Sequence, residues 1–155
     1  MSTLRITFHP AAVEFDIDEQ HGEIPVGPMS LAADLRRDPP QPEELTNAVG
    51  LVLDHMEDIE REVPEVMWAE RIELCGHLLP VLADVEIGGS APLPHELPRE
   101  AAEEVFRTLV TERRADRLHN PGLPEDAVHD VMGTACVAVA VLRFLRAEVA
   151  WVVAS

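Results

Sequence analysis

The sequence predicts a mixed α/β domain: three antiparallel strands open the chain, two later strands run parallel, and helices pack on the resulting five-stranded sheet. Three observations carry this expectation. Apolar residues alternate through the first 26 positions in three short bursts, two further short apolar runs each follow a helical stretch, and right-handed crossovers into those runs make them parallel. With 155 residues and 46% apolar content, the chain can bury one core, so residues 1–155 are expected to form a single domain without a linker.

The elements follow in order. Leu4, Ile6 and Phe8 alternate with polar neighbours, His9-Pro10 breaks the run, and Val13, Phe15 and Ile17 resume it. A polar turn, Glu19 to Gly22, precedes a third strand around Glu23 to Val26, completing a meander. Pro25 and Gly27 end that strand. Pro28 opens a short helix with Met29, Leu31 and Leu35 on one face, and Pro39-Pro40 stop it. Pro42, Glu43 and Glu44 then begin a long amphipathic helix, buried through Leu45, Val49, Val52, Leu53, Met56 and Ile59, with Asp54, Glu57, Asp58 and Glu62 on its outer stripe. Arg71 to Cys75 reads as a fourth strand stopped by Gly76. The prolines and the Gly88-Gly89-Ser90 cluster between His77 and Leu97 allow a brief helix over 78–83 and otherwise an irregular loop. A helix is expected from Arg99 to Leu118, another from Pro124 to near Leu142 that is apolar almost all round, and a last strand over Ala150 to Ala154.

Composition excludes some functions. Acidic residues number 29 against 12 basic ones, all arginine, for a net charge of −17, so neither nucleic acid nor an anionic membrane is an expected partner. Cys75 and Cys136 lie in apolar contexts and are expected as buried, reduced thiols. Met1 to Phe8 shows no leader pattern and the longest uncharged apolar run, Val131 to Leu142, is too short to span a bilayer, which predicts a soluble cytoplasmic protein.

Turn motifs add a second line. Pro25-Val26-Gly27, then Asp38-Pro39-Pro40-Gln41-Pro42-Glu43-Glu44-Leu45, then Asn120-Pro121-Gly122-Leu123 and a closing Val152-Val153-Ala154-Ser155 follow one another in an order that resembles the second half of the exopolyphosphatase/guanosine-pentaphosphate phosphohydrolase (Ppx/GppA) family. The resemblance covers nearly the whole chain. It implies a ribonuclease H-like fold, the repeating half of the actin-like ATPases, which the element order suggests independently.

In that family two halves face a cleft, and glycine loops grip phosphate. The resemblance places Ser2 and Thr3 where a loop reading Asp-Ile-Gly-Gly-Gly-Ser-Thr-Glu-Leu leads into the first strand, with every glycine missing, and Gly76-His77 where the second-half Gly-Gly-Thr motif stands. Ser2, Thr3, Gly76 and His77 are therefore the expected ligand-binding residues, without a catalytic residue or a metal site. Lacking successive glycines, the backbone amides cannot readily form an anion nest, so the expected function is a catalytically incomplete binding or regulatory module. It would dock to a second copy or to a chain carrying a first half. The alternative is a phosphohydrolase acting on polyphosphate or guanosine pentaphosphate, alone or with such a partner, using magnesium. Arg107, Arg113, Arg114 and Arg117 are the one basic concentration, read as a solvated helix end, with a phosphate or acidic-partner patch as the sharper reading.

Overall fold

The computed structural model describes residues 1–155. The opening meander forms, β1 (Thr3–His9), β2 (Ala12–Ile17) and β3 (Gln20–Ile24) pairing antiparallel with Leu4 opposite Ile17 and Val13 opposite Ile24, but the third strand begins at Gln20, inside the expected turn, and ends at Ile24 rather than Val26. Helices α1 (Pro28–Ala33) and α2 (Pro42–Glu62) follow, then a 3-10 turn over Pro64–Trp68 and β4 (Arg71–Gly76). The remainder comprises α3 (Leu79–Ile87), β5 (His95–Pro98), α4 (Arg99–Thr111), the single turn α5 (Arg114–Arg117), α6 (Asp130–Leu145) and β6 (Val149–Val152).

The sheet has six strands, in the order β3-β2-β1-β4-β6-β5, where five were expected. The added strand is β5, which pairs antiparallel to β6 at the edge. It carries a single buried apolar residue, Leu97, between Pro94 and Pro98, a pattern without strand periodicity. Proline is tolerated there because an edge strand has one unpaired side. The late strands β4 and β6 are parallel as expected, and β4 also pairs parallel with β1.

Every strand buries one side. Leu4, Ile6, Phe8, Val13, Phe15, Ile17, Leu74 and Val152 belong to one core together with α6, of whose 16 residues 13 are buried. That central helix can be apolar all round because α1, α2, α3 and α4 each pack against it. The second sheet face holds the alternate residues, Arg5, Thr7, Glu14, Asp16, Arg71, Glu73 and Trp151, none of them buried. Arg71 bonds Glu73 and lies 4.7 Å over the Trp151 ring.

The connection from Ile24 to Leu45 is held as its turn residues suggest. Glu44 accepts backbone N–H groups from Gln41 (2.9 Å), Arg36 (2.8 Å) and Arg37 (3.3 Å), closing the start of α2 over the end of the preceding loop. The expected helix to Leu118 instead stops at Thr111. Arg117 is the cause: its guanidinium folds back and donates to the carbonyls of Leu109 and Glu112, taking the place of the next helical amides. No helix is long and apolar enough to cross a membrane.

Candidate functional site

Gly76 and His77 stand where β4 leaves the sheet, at the carboxyl ends of the parallel strands, the usual location of ligands in α/β sheets. Gly76 has φ +105° and packs on β1 so closely that an added Cβ would overlap the Phe8 carbonyl oxygen; the residue must be glycine on both counts. His77 N–H then donates to Phe8 O at 2.8 Å, and the fully buried Thr134 of α6 donates its hydroxyl to His77 O at 3.2 Å. Leu78 adopts a left-handed conformation, φ +58°, which swings the chain into α3.

Beside this lies the β1–β2 turn, His9-Pro10-Ala11, without a glycine. The start of α1 packs into it: Met29 N–H donates to Pro10 O at 2.9 Å, and a Cβ on Gly27 would sit 2.5 Å from both His9 O and Ala12 N. From behind, Gly133 of α6 lets the Pro28 carbonyl come into direct contact. Turn, α1 and α6 thus form a stack sealed by backbone. The Met29 and His77 amides are used within this packing, on Pro10 O and Phe8 O, and are not turned to an anion.

One polar atom at this end is left over. His77 Nε2 is buried and has no hydrogen-bond partner.

Ser2 and Thr3 are elsewhere. In the parallel register Thr3 pairs with Arg71 and Phe8 with Gly76, so the two pairs of expected ligand residues lie at opposite ends of the strands, five residues or about 17 Å apart. Ser2 serves the ladder instead: its carbonyl accepts from Glu70 and Arg71, and its hydroxyl accepts from Glu70 N–H at 3.2 Å. The four residues do not form one site, because parallel pairing brings strand starts together, not a start to an end.

Within the arginine concentration, two side chains are already engaged. Arg117 is 2% exposed and donates to Val128 O (3.0 Å) and Leu109 O (3.1 Å), Arg107 pairs with Glu104, and Arg114 offers its backbone N–H to Asp38. The surface hollows avoid all four expected residues. The largest, about 620 Å³, is lined by Pro98, Arg99, Glu100, Glu103, Arg107 and Glu148, and mixes both signs of charge.

Three crystal structures match this architecture over 99% of the chain. An exopolyphosphatase-like protein superposes with TM-score 0.88 at 19% identity, over 55% of its own length. The PPX-GPPA enzyme of Aquifex aeolicus gives 0.86 at 13% over 54%, and an exopolyphosphatase from Cytophaga hutchinsonii 0.75 at 17% over 53%. The fold is that of half a Ppx/GppA structure. The chain spans about half the length of these relatives. No protein-family model matches the sequence, and no curated protein matches it.

For a Ppx/GppA-like half, three backbone oxygens at the strand ends offer little to magnesium. The oxygens identified there, of Phe8, Pro10 and His77, are backbone carbonyls already accepting hydrogen bonds, whereas magnesium is held by carboxylates and substrate phosphates.

One grouping escaped the sequence reading. Glu14, Asp16 and His21 bring a ligand atom each within 4.8 Å of one another on the open sheet face. His21 Nδ1 donates to Asp16 at 2.8 Å, which, with Glu14 and Glu23 near, raises its pKa above the ordinary 6.5.

Proposed function

We propose that this chain is a Ppx/GppA-like, ribonuclease H-like half-domain that is catalytically incomplete and serves as a binding or regulatory module. The observation that supports this reading best is the sealed end of the sheet. Gly27, Gly76 and Gly133 are used to let backbone approach backbone, not to open a nest of amides, and the N–H groups of Met29 and His77 are spent on Pro10 O and Phe8 O. A phosphoanhydride would not find those two amides free, in a molecule of net charge −17.

A partner follows from the same reading. The related chains are about twice as long, so this half would face a second copy or a chain carrying a first half. Light scattering behind size-exclusion chromatography tests the second copy; a monomer at all concentrations leaves the first-half chain, to be tested by co-purification.

The decisive assay is release of inorganic phosphate from polyphosphate and from guanosine pentaphosphate with magnesium. No turnover above a buffer blank is expected. Turnover that His77→Ala abolishes would overturn the proposal in favour of the second reading, a phosphohydrolase. That reading draws on the buried, unpartnered Nε2 of His77, a residue that stands where the resembled family carries its second glycine motif.

A further inference from the structure

We propose that His21, Asp16 and Glu14 form a binding site for a divalent first-row transition metal of the zinc type. The argument begins with strand periodicity. Glu14 and Asp16 are two apart on β2 and share the open face, and the register sets His21 of β3 directly opposite Asp16. Their three ligand atoms lie within 4.8 Å of one another. Bonds of about 2.0–2.2 Å to a central ion hold such atoms no more than about 4.4 Å apart, so small side-chain rotations close the set while the hairpin backbone stays fixed. His9 flanks it on the other side, its Nε2 already 2.5 Å from Glu14 Oε1.

The charge balance around the cluster is a separate observation. Glu23 stands directly opposite Glu14, a like-charge cross-strand pair, and Asp16 lies beside them. Arg5 is the cross-strand neighbour of Asp16 on β1, yet its guanidinium is turned to Glu73 (3.7 Å) and to the carbonyl of Ala154 (3.2 Å). Two of the three carboxylates thus have an imidazole as bonded partner, His21 on Asp16 and His9 on Glu14, and Glu23 adds a third negative charge beside them. A divalent cation balances this charge where an arginine could have and does not.

The donor chemistry selects the ion. Mixed imidazole and carboxylate donors suit zinc, cobalt or nickel, while magnesium and calcium take oxygen ligands alone. The consequence is mechanical. β3 is an edge strand, and a metal bridging His21 to Asp16 and Glu14 would pin it to β2.

The test uses the tag-free chain stripped with chelator, titrated at neutral pH with zinc chloride by calorimetry and with cobalt chloride by visible absorption. A single equivalent should bind, excess magnesium should not compete, and bound zinc should raise the melting temperature. His21→Ala and Asp16→Asn, both on exposed or half-exposed positions, should each weaken binding by about tenfold or more and abolish the thermal shift, while His119→Ala, an exposed histidine elsewhere, changes nothing. His21→Gln serves as a second variant should His21→Ala unfold. Absence of zinc binding in the micromolar range, unchanged affinity in the His21 variants, or displacement by equimolar magnesium would overturn the proposal.

Discussion

Arg117 offers the sharpest separation between an anion-binding patch and a structural cation. It is 2% exposed, and donates through Nε to Val128 O and through Nη1 to Leu109 O and Glu112 O, while its nearest carboxylate, Asp38, is 3.8 Å away and half exposed. Replacing it with alanine leaves three carbonyls without donors in a space too closed for easy hydration. A hydrogen bond from a charged donor is worth about 1.5–3 kcal/mol, but the three share one group and Glu112 is only half-buried, so the sum is discounted to about 4 kcal/mol. The exposed Asp38 pair adds little. For a domain of this size about 4 kcal/mol lowers the melting temperature by about 8–16 °C. Urea unfolding followed by far-ultraviolet dichroism, with the slope m held fixed, measures it directly. Arg117→Lys keeps the charge but concentrates its donors on one nitrogen, and should recover about half of the loss. A cost below about 1 kcal/mol for Arg117→Ala would refute the reasoning, because three orphaned carbonyls cannot be that cheap. So would unchanged stability together with lost affinity for phosphate, since the patch would then be functional.

Further expectations concern single groups. Gly76→Ala should cost about 2–4 kcal/mol in the same unfolding experiment, since it combines a positive φ with overlap on the Phe8 carbonyl. Burial pushes the Cys136 thiol up to about 12, and Cys75 is likewise buried, so access alone should keep both from a thiol reagent in the native chain, and both should react in urea. Glu44, held by the backbone N–H groups of Gln41 and Arg36, and Glu103, held by the Arg143 side chain, both have pKa values below the ordinary 4.5. Their stabilising contribution is therefore full above 4.5 and is lost as pH falls through the lower folded values; Glu103→Gln should flatten the acid limb of the stability curve. The His21 ring has its pKa raised, so nuclear magnetic resonance should place its midpoint above 6.5 in metal-free protein, and Asp16→Asn should return it toward that value.

The helices and most strands were legible because their burial is periodic. The buried faces of α2 and α6 could be read from the pattern, although α6 spans Asp130–Leu145 where Pro124 to near Leu142 was expected, and so could β1 and β2, where each buried residue alternates with a half-exposed one. β5 was not legible: it exists because the edge of β6 needs a partner, and its own four residues carry no alternation. The break at Thr111 was hidden for a similar reason, since a side chain six residues on replaces the helix's own amides. At the site, Gly76, expected as a ligand residue, is required by close backbone approach and a positive φ. The pairing of Ser2 and Thr3 with Gly76 and His77 failed on register, since in the parallel pairing of β1 with β4 strand starts meet strand starts. His21 was missed because the third strand begins at Gln20, not near Glu23; read as a turn residue, it had no facing partner on β2.

The two ends of this reading constrain each other. An α/β half-domain ordinarily spends its glycines and helix starts on the carboxyl ends of its strands, where ligands bind. Here those devices are consumed by packing: α1 rests in the β1–β2 turn, α6 rests against α1, and β4 is joined to β1 through His77 N–H. What remains free to bind lies on the open face, where Arg5, Glu14, Asp16, His21, Glu23 and Glu73 have no helix over them. An acidic, histidine-bearing sheet face favours cations and basic surfaces and disfavours phosphate. The proposal of a regulatory module and that of a metal site on the hairpin therefore rest on separate observations that predict opposite charge preferences at the two places. Phosphate release switched on by a first-half chain would remove the former and leave zinc binding at His21 untouched, whereas loss of zinc binding would leave the sealed strand ends as they are.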